Sequence, residues 1–229
     1  MTIGIIGAMD EEIAILLDNM TNKKERTIAN CLFVAGLIHE KNVVLLKSGI
    51  GKVNAAMATT IMHEQYNPSH VINTGSAGGF HENLEIGDIA ISTEVVHHDV
   101  DATAFAYEYG QVPGMPISYK ADRNLIDIVM NALKHLELSY KKGLIATGDS
   151  FMEDKEKVRF VKEKFSGLLA AEMEASAIAQ VCYQYNTPFV IIRALSDIAG
   201  KSSSVSFEVF LEKAAKNAAE LILTAIKNM

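Results

Sequence analysis

Apolar positions along the 229-residue chain fall into two alternating registers. Runs such as Ile3-Gly4-Ile5-Ile6-Gly7 and Phe189-Val190-Ile191-Ile192 carry no polar alternation, the pattern of strands covered on both faces. Such runs predict strands at about 2–7, 31–38, 42–48, 70–75, 87–96, 141–147, 168–172 and 188–195. Segments with helical periodicity lie between them and predict helices at about 10–19, 52–66, 122–136, 154–165, 173–185 and 206–228. The alternation is that of an α/β protein. Only His39-Glu40-Lys41-Asn42 separates two of the apolar runs, so 31–48 reads as an antiparallel hairpin and the sheet as mixed. Before the last helix, Ser202-Ser203-Ser204 supplies N-cap candidates, and Phe207, Phe210, Leu211, Ala214, Ala218 and Leu221 follow its period. Residues 99–119 read as one long irregular segment containing Phe105, Tyr107, Tyr109, Pro113 and Pro116. Loops of that length are usually functional or interfacial. No linker, repeat or low-complexity tract divides the chain, so residues 1–229 are expected to form one domain.

The strands end on acids. The first runs into Asp10-Glu11-Glu12, the run Gly167–Ala171 stops at Glu172-Met173-Glu174, and Phe189–Leu195 stops at Ser196-Asp197. Ligands of open α/β sheets sit at the carboxyl ends of the strands. Several carboxylates would therefore meet in one crevice, which suits protonating a leaving group and activating water better than holding an anion. Acids in a first helical turn also serve as macrodipole partners, the simpler role for Asp10 and Glu11. Glu12 is the one that can turn back toward the strand ends.

Composition narrows the classes. The formal net charge is −7, with no basic stripe, so nucleic acid and anionic membranes are not expected partners. No apolar run is long enough to span a bilayer, and Asp10, Glu11 and Glu12 interrupt any signal-like stretch at the start. Cys31 and Cys182 are the only cysteines and lack metal-type spacing. They fit buried free thiols in a reducing cytoplasm.

Tempting motifs fail on their own chemistry. Gly4-Ile5-Ile6-Gly7-Ala8-Met9 lacks dinucleotide-binding spacing, and acids stand where a pyrophosphate would dock. Gly200-Lys201-Ser202 echoes a P-loop, but the required earlier glycine is Leu195. His97-His98-Asp99 with Asp101 could suggest a metal site. Adjacent strand histidines point to opposite faces, however, and no third nitrogen or sulfur ligand stands at a recognisable spacing. Asn73-Thr74-Gly75-Ser76-Ala77-Gly78-Gly79 is either a tight turn or a loop whose amides approach a ligand. Arg193 within an apolar strand needs partners, and the acids at neighbouring strand ends qualify. Asp197 fits a cap as well as a catalytic acid.

Taken together, several segments are more specific. They are Ile3–Met9 running to Glu12, Ser48-Gly49-Ile50-Gly51-Lys52-Val53-Asn54, Asn73–Gly78, Asp101–Gln111, Gly148-Asp149-Ser150-Phe151, Glu172-Met173-Glu174-Ala175 and Arg193–Asp197. In this order the chain closely resembles the bacterial 5′-methylthioadenosine/S-adenosylhomocysteine nucleosidases, over essentially its whole length. Single motifs are shared with purine and uridine phosphorylases. The resemblance implies a three-layer α/β/α domain of the nucleoside phosphorylase type, built as a homodimer and using no metal or organic cofactor. It implies adenine nucleosides as substrates and irreversible hydrolysis of their N-glycosidic bond.

The resemblance also assigns roles. Asp197 matches the general acid at adenine N7, and Glu12 the carboxylate that activates water, with Ser76 and Arg193 placing that water. Glu174 matches the acid holding the ribose hydroxyls, and Met173 packs under the sugar. Phe151 would stack on adenine and the Met152 backbone read its edge, with Ala77, Gly78 and Ser196 around it. Met9, Ile50 and Phe207 would line the alkylthio slot, completed by Phe105, Tyr107 and Pro113 from the second subunit. Glu172 receives no role beyond possible pairing with Arg193.

Overall fold

The computed structural model describes residues 1–201 and 203–229, so the cap proposed at Ser202 lies outside the described residues. The strands are β1 (Thr2–Gly7), β2 (Thr21–Ile28), β3 (Cys31–Ile38), β4 (Lys41–Lys47), β5 (His70–Gly79), β6 (Ile89–His97), β7 (Tyr119–Lys120), β8 (Tyr140–Thr147), β9 (Leu168–Glu172) and β10 (Phe189–Ile198). The helices are α1 (Asp10–Asp18), α2 (Lys52–Tyr66), α3 (Arg123–Leu133), α4 (Lys155–Lys164), α5 (Ala175–Tyr185) and α6 (Ser203–Lys227). Their ends are set by familiar chemistry. Asp122 accepts the Leu125 N–H at 3.0 Å to start α3, and Asp154 accepts the N–H groups of Glu156 and Lys157 to start α4. Asn67 and Asn186 close α2 and α5 in the left-handed conformation.

Among the described residues the strands form one mixed sheet, running β2-β3-β4-β1-β5-β10-β6-β8-β9, with β7 on β6. The end of β9 returns to pair with β5, Gly78 opposite Ala171, so β5, β10, β6, β8 and β9 close on themselves. Strands β1 and β10 both run parallel to β5. Their carboxyl ends therefore emerge side by side. Helices α1, α3 and α6 pack together, and α2 packs on α5, each group against the sheet. The core is continuous from Ile3, Ile5 and Leu45 to Ile191, Leu221 and Ile222, and a smaller one under α4 holds Phe80, Val158 and Met152. No helix among the described residues is long and apolar enough to cross a membrane.

The expected α/β class, mixed sheet and 31–48 hairpin are present. Four differences have physical causes. Strand β2, Thr-Asn-Lys-Lys-Glu-Arg-Thr-Ile, is exposed almost throughout and forms the sheet edge. It has no apolar face for periodicity to detect, and charged edges of this kind deter strand-to-strand aggregation. The glycine-rich stretch Asn73–Gly79 is neither a turn nor a loop but the second half of β5, paired to β10 and β9. Helix α5 begins at Ala175, leaving Met173 and Glu174 in the turn before it. Helix α6 takes Ser203 and Ser204 into its first turn rather than using them as caps.

Leu46, next to the last residue of β4 and paired to Phe33 of β3 and Ile6 of β1, has no exposed surface. Leu46→Ala is expected to cost about 2–5 kcal/mol. Urea unfolding should show a lower midpoint at unchanged slope.

Candidate active site

A cavity of about 370 Å³ opens at the carboxyl ends of β1, β5, β9 and β10. One side is built from α1. Asp10 turns outward to Lys47 at 2.7 Å, as an acid at an exposed helix start should. Glu12 turns inward and is 3% exposed. Its Oε2 accepts the N–H groups of Ala8 and Met9 at 2.7 and 3.4 Å, closing half of a capping box. Its Oε1 accepts both the N–H and the hydroxyl of Ser76, at 2.9 and 3.1 Å.

Strand β5 must be bare where these groups converge. A Cβ at position 75 would lie 2.1 Å from Arg193 Nη1 and 2.6 Å from Glu12 Oε1. A Cβ at position 78 would meet Asp197 Oδ2 at 3.0 Å. Glycine therefore lets a carboxylate and a guanidinium lie against the strand backbone.

Arg193, 1% exposed, projects from β10 behind the cavity rather than into its lining. Its Nη2 donates to Asn73 Oδ1 at 2.8 Å and to Glu172, and its Nη1 donates to the Thr74 carbonyl at 3.1 Å. Burial opposes its charge, but Glu172, Glu174 and Glu12 outweigh that and raise its pKa. Glu172 is fully engaged. Besides Arg193 it accepts the Thr147 hydroxyl and the N–H groups of Glu174 and Ala175, so it caps the start of α5.

Glu174 is less well served. Its Oε1 accepts the Gly51 N–H at 2.9 Å, and its Oε2 stands 3.5 Å from Arg193 Nη2. Burial, with Glu172 close by, pushes its carboxyl up to about 8, against the opposing pull of Arg193 and Gly51. Asp197 is 2% exposed and takes the Ser196 hydroxyl on Oδ1 at 2.9 Å. Burial raises its pKa as well, with Glu153 adding and Ser196 opposing. Two of the acids facing the cavity are therefore biased toward holding a proton.

The other walls are apolar. Met9, Ile50, Phe151, Met152, Met173 and Phe207 line them, with Ala77, Gly78 and Ser196 at the base. The rings of Phe151 and Phe207 meet edge to face, 5.8 Å between centroids. Every site residue expected within one chain lines the cavity except Arg193. Phe105, Tyr107 and Pro113 lie on the segment after β6, outside this lining, with Phe105 80% exposed. Sequence reasoning passed over Ala8, Ser150, Ala171, Ser204 and Glu208, which also line it, as does Glu172, which was expected at the crevice without a catalytic or binding role. Helical spacing could have found two of these, because residues 204, 207 and 208 share one face of α6.

His97 and His98 are both buried at the end of β6. His97 meets Gln180 at 3.1 Å, and the His98 ring packs on Gly148. No group of three or more His, Cys, Asp or Glu side chains among the described residues is placed to hold a metal ion.

Comparison with known proteins matches this architecture closely. Residues 2–227 fit the model of the phosphorylase superfamily. The 5′-methylthioadenosine/S-adenosylhomocysteine nucleosidase of Oceanobacillus iheyensis is 62% identical over 229 residues, covering all of both chains. The crystal structure of the Neisseria meningitidis nucleosidase of that name, in complex with methylthio-immucillin-A, superposes with a TM-score of 0.98 at 44% identity, covering 100% of this chain and 99% of that one. The enzyme from Colwellia psychrerythraea, in complex with adenine, gives 0.97 at 46% identity, covering 99% and 94%. With that identity running from end to end, the chain belongs to the phosphorylase superfamily and, within it, to the 5′-methylthioadenosine/S-adenosylhomocysteine nucleosidases, which are N-glycosyl hydrolases.

Proposed function

We propose that the chain hydrolyses the N-glycosidic bond of 5′-methylthioadenosine and S-adenosylhomocysteine, and of 5′-deoxyadenosine, releasing adenine and the 5-substituted ribose. One observation carries the reading. A buried Asp197 biased toward its acid form and a Glu12 held by four donated hydrogen bonds face the same cavity, which Glu174 also lines.

Adenine leaves poorly as an anion. Asp197 donates its proton to N7 while the bond from C1′ to N9 breaks and its electron pair goes to the base, so a neutral purine departs. The sugar becomes oxocarbenium-like. Water then bonds to C1′ and gives its proton to Glu12. Ser76 and Arg193 hold the geometry of that step. Glu174 accepts the two ribose hydroxyls, and Met173 lies under the ring. Phe151 stacks on the base, the Met152 backbone reads its edge, and Ala77, Gly78 and Ser196 close around it. Met9, Ile50 and Phe207 receive the 5′ substituent.

A homodimer fits this arrangement. Phe105, a large aromatic left uncovered within one chain, would join Tyr107 and Pro113 in completing the partner's 5′ slot. The 1–229 chain acts as a single nucleosidase domain. Its cellular setting would be cytoplasmic, in salvage of methionine sulfur and removal of S-adenosylhomocysteine.

The deciding experiment is adenine release from 5′-methylthioadenosine in phosphate-free buffer, repeated with phosphate. Free methylthioribose at a rate indifferent to phosphate is the expected result, and a sugar 1-phosphate would make the chain a phosphorylase. Asp197→Asn and Glu12→Gln should each lower kcat by at least about a hundredfold while melting normally. Near-normal turnover by Asp197→Asn would remove it from the role of acid.

Glu174 gives a separate pH test in the ligand-free protein. Its carboxyl titrates near 4.5 when unfolded and at about 8 when folded. Between those values the native state keeps a proton that the unfolded chain has released, so stability falls as pH rises through this window. Asp197 acts in the same direction. Glu174→Gln should flatten the decline in urea stability between about pH 5 and about pH 8. An unchanged slope would show that Glu174 is not the group responsible.

A further inference from the structure

Three residues outside the cavity lining form a closed hydrogen-bonded triangle. Lys52 Nζ donates to Asp99 Oδ1 at 2.6 Å, the Asp149 N–H donates to Asp99 Oδ2 at 3.0 Å, and the Lys52 N–H donates to Asp149 Oδ1 at 2.8 Å. Each residue bonds both others, and each lies on a different stretch of chain. Lys52 opens α2, Asp99 follows β6, and Asp149 follows β8.

The position of each matters. Directly before Lys52 stand Ile50, which lines the cavity, and Gly51, whose N–H donates to Glu174. Directly after Asp149 stand Ser150, Phe151 and Met152, which form one cavity wall. That second loop is pinned from its other side too, because a Cβ on Gly148 would lie 2.3 Å from the His98 ring. Gly51 itself passes so close that a Cβ there would sit 3.2 Å from Asp149 Oδ1. The Asp149 carboxylate thus caps α2 from a distant part of the sequence, supplying an acceptor that Gly51 lacks a side chain to provide.

We propose that Lys52, Asp99 and Asp149 act as a positioning clamp that fixes the Gly51 N–H against Glu174 and the Phe151 wall against the opposite side of the cavity, setting affinity for the purine nucleoside. The proposal rests on the reading of Phe151 and Glu174 as base and ribose contacts. Exposed ion pairs contribute little to stability, and this pair is 20% and 30% exposed at its side chains. Its significance is geometric. Asp99 uses one oxygen for each neighbouring loop, adding a side-chain tie to the direct bond between the Lys52 N–H and Asp149. Burial opposes the ionised form of Asp99, and the Lys52 ammonium and the Asp149 N–H outweigh that and keep its pKa below the usual value. Glu12 and Asp197 are held by Ala8, Met9, Ser76 and Ser196 and do not touch the clamp. Disturbing it should therefore change binding more than the bond-breaking step.

The test uses Lys52→Gln, Lys52→Arg, Asp99→Asn and the double variant Lys52→Gln/Asp99→Asn in the full chain. Adenine affinity is measured by titration calorimetry, and kcat and KM for 5′-methylthioadenosine are measured separately. Lys52→Gln and Asp99→Asn should each weaken adenine binding and raise KM by about tenfold with kcat within about threefold, and the double variant should be no worse than either alone. Lys52→Arg, which can still donate to Asp99, should recover most of the loss. Singles within about twofold of wild type, losses that multiply in the double variant, or no recovery by Arg would each overturn the clamp. Wild-type protein that neither binds adenine nor releases it would instead overturn the base-binding reading on which the clamp rests.

Discussion

The site depends on one buried guanidinium, Arg193, facing more negative charge than it can neutralise. Glu12, Glu172 and Glu174 all act on it, and all are nearly sealed from water. Ionising every carboxyl there would be costly, because a buried charge is tolerated only when paired and hydrogen-bonded. The structure resolves the excess by geometry. Glu172 lies nearest Arg193 and collects three further donors as well. Glu12 draws on a different supply, the start of α1 and Ser76. Glu174 is left with one N–H and a distant Nη2, and its pKa rises. The proton affinity of Glu174 is thus raised by its surroundings alone.

That allocation suits the proposed chemistry. Ribose hydroxyls are donors, and donors are what Glu174 lacks. A nucleoside supplying two of them would favour the carboxylate over the protonated form. Asp197 stands apart from Arg193, held by Ser196 and bordered by the bare strand at Gly78. With no cation beside it, burial leaves its pKa raised, which favours the acid form that the proposed departure of a purine would use.

Much of this layout is legible in the sequence, though unevenly. Apolar runs that stop at acids mark the strand ends, and from them alone a crevice bearing Glu12, Glu172, Glu174 and Asp197 follows. The distinct roles of those acids do not follow from periodicity. They enter through resemblance, because protonation depends on which carboxyl lies nearest Arg193, a distance that no local pattern encodes. Strand β2 escapes detection because an exposed edge has no buried face. Asn73–Gly79 looks like a turn because its glycines are so dense, but those at 75 and 78 serve the close approach of Arg193, Glu12 and Asp197 to a continuous strand. Glu172 is legible as a crevice acid and as a partner for Arg193, but its capping of α5 becomes visible only in the fold, where it also accepts the N–H groups of Glu174 and Ala175.

The same geometry bears on why water, rather than phosphate, should be the nucleophile in a superfamily named for phosphorylases. An anion site needs free donors, and a helix start beside a strand end ordinarily supplies them. Here the N–H groups of Ala8 and Met9 and both donors of Ser76 already point at Glu12. The carboxylate occupies the cradle that a phosphate would need. A phosphate dianion entering the cavity would meet a negative charge and find those amides taken, whereas a neutral water would find a hydrogen-bond acceptor. Under the proposed mechanism, freeing the donors by removing Glu12 would also remove the base for water attack. One group would then serve both as that base and as the occupant that keeps a phosphate from the cradle.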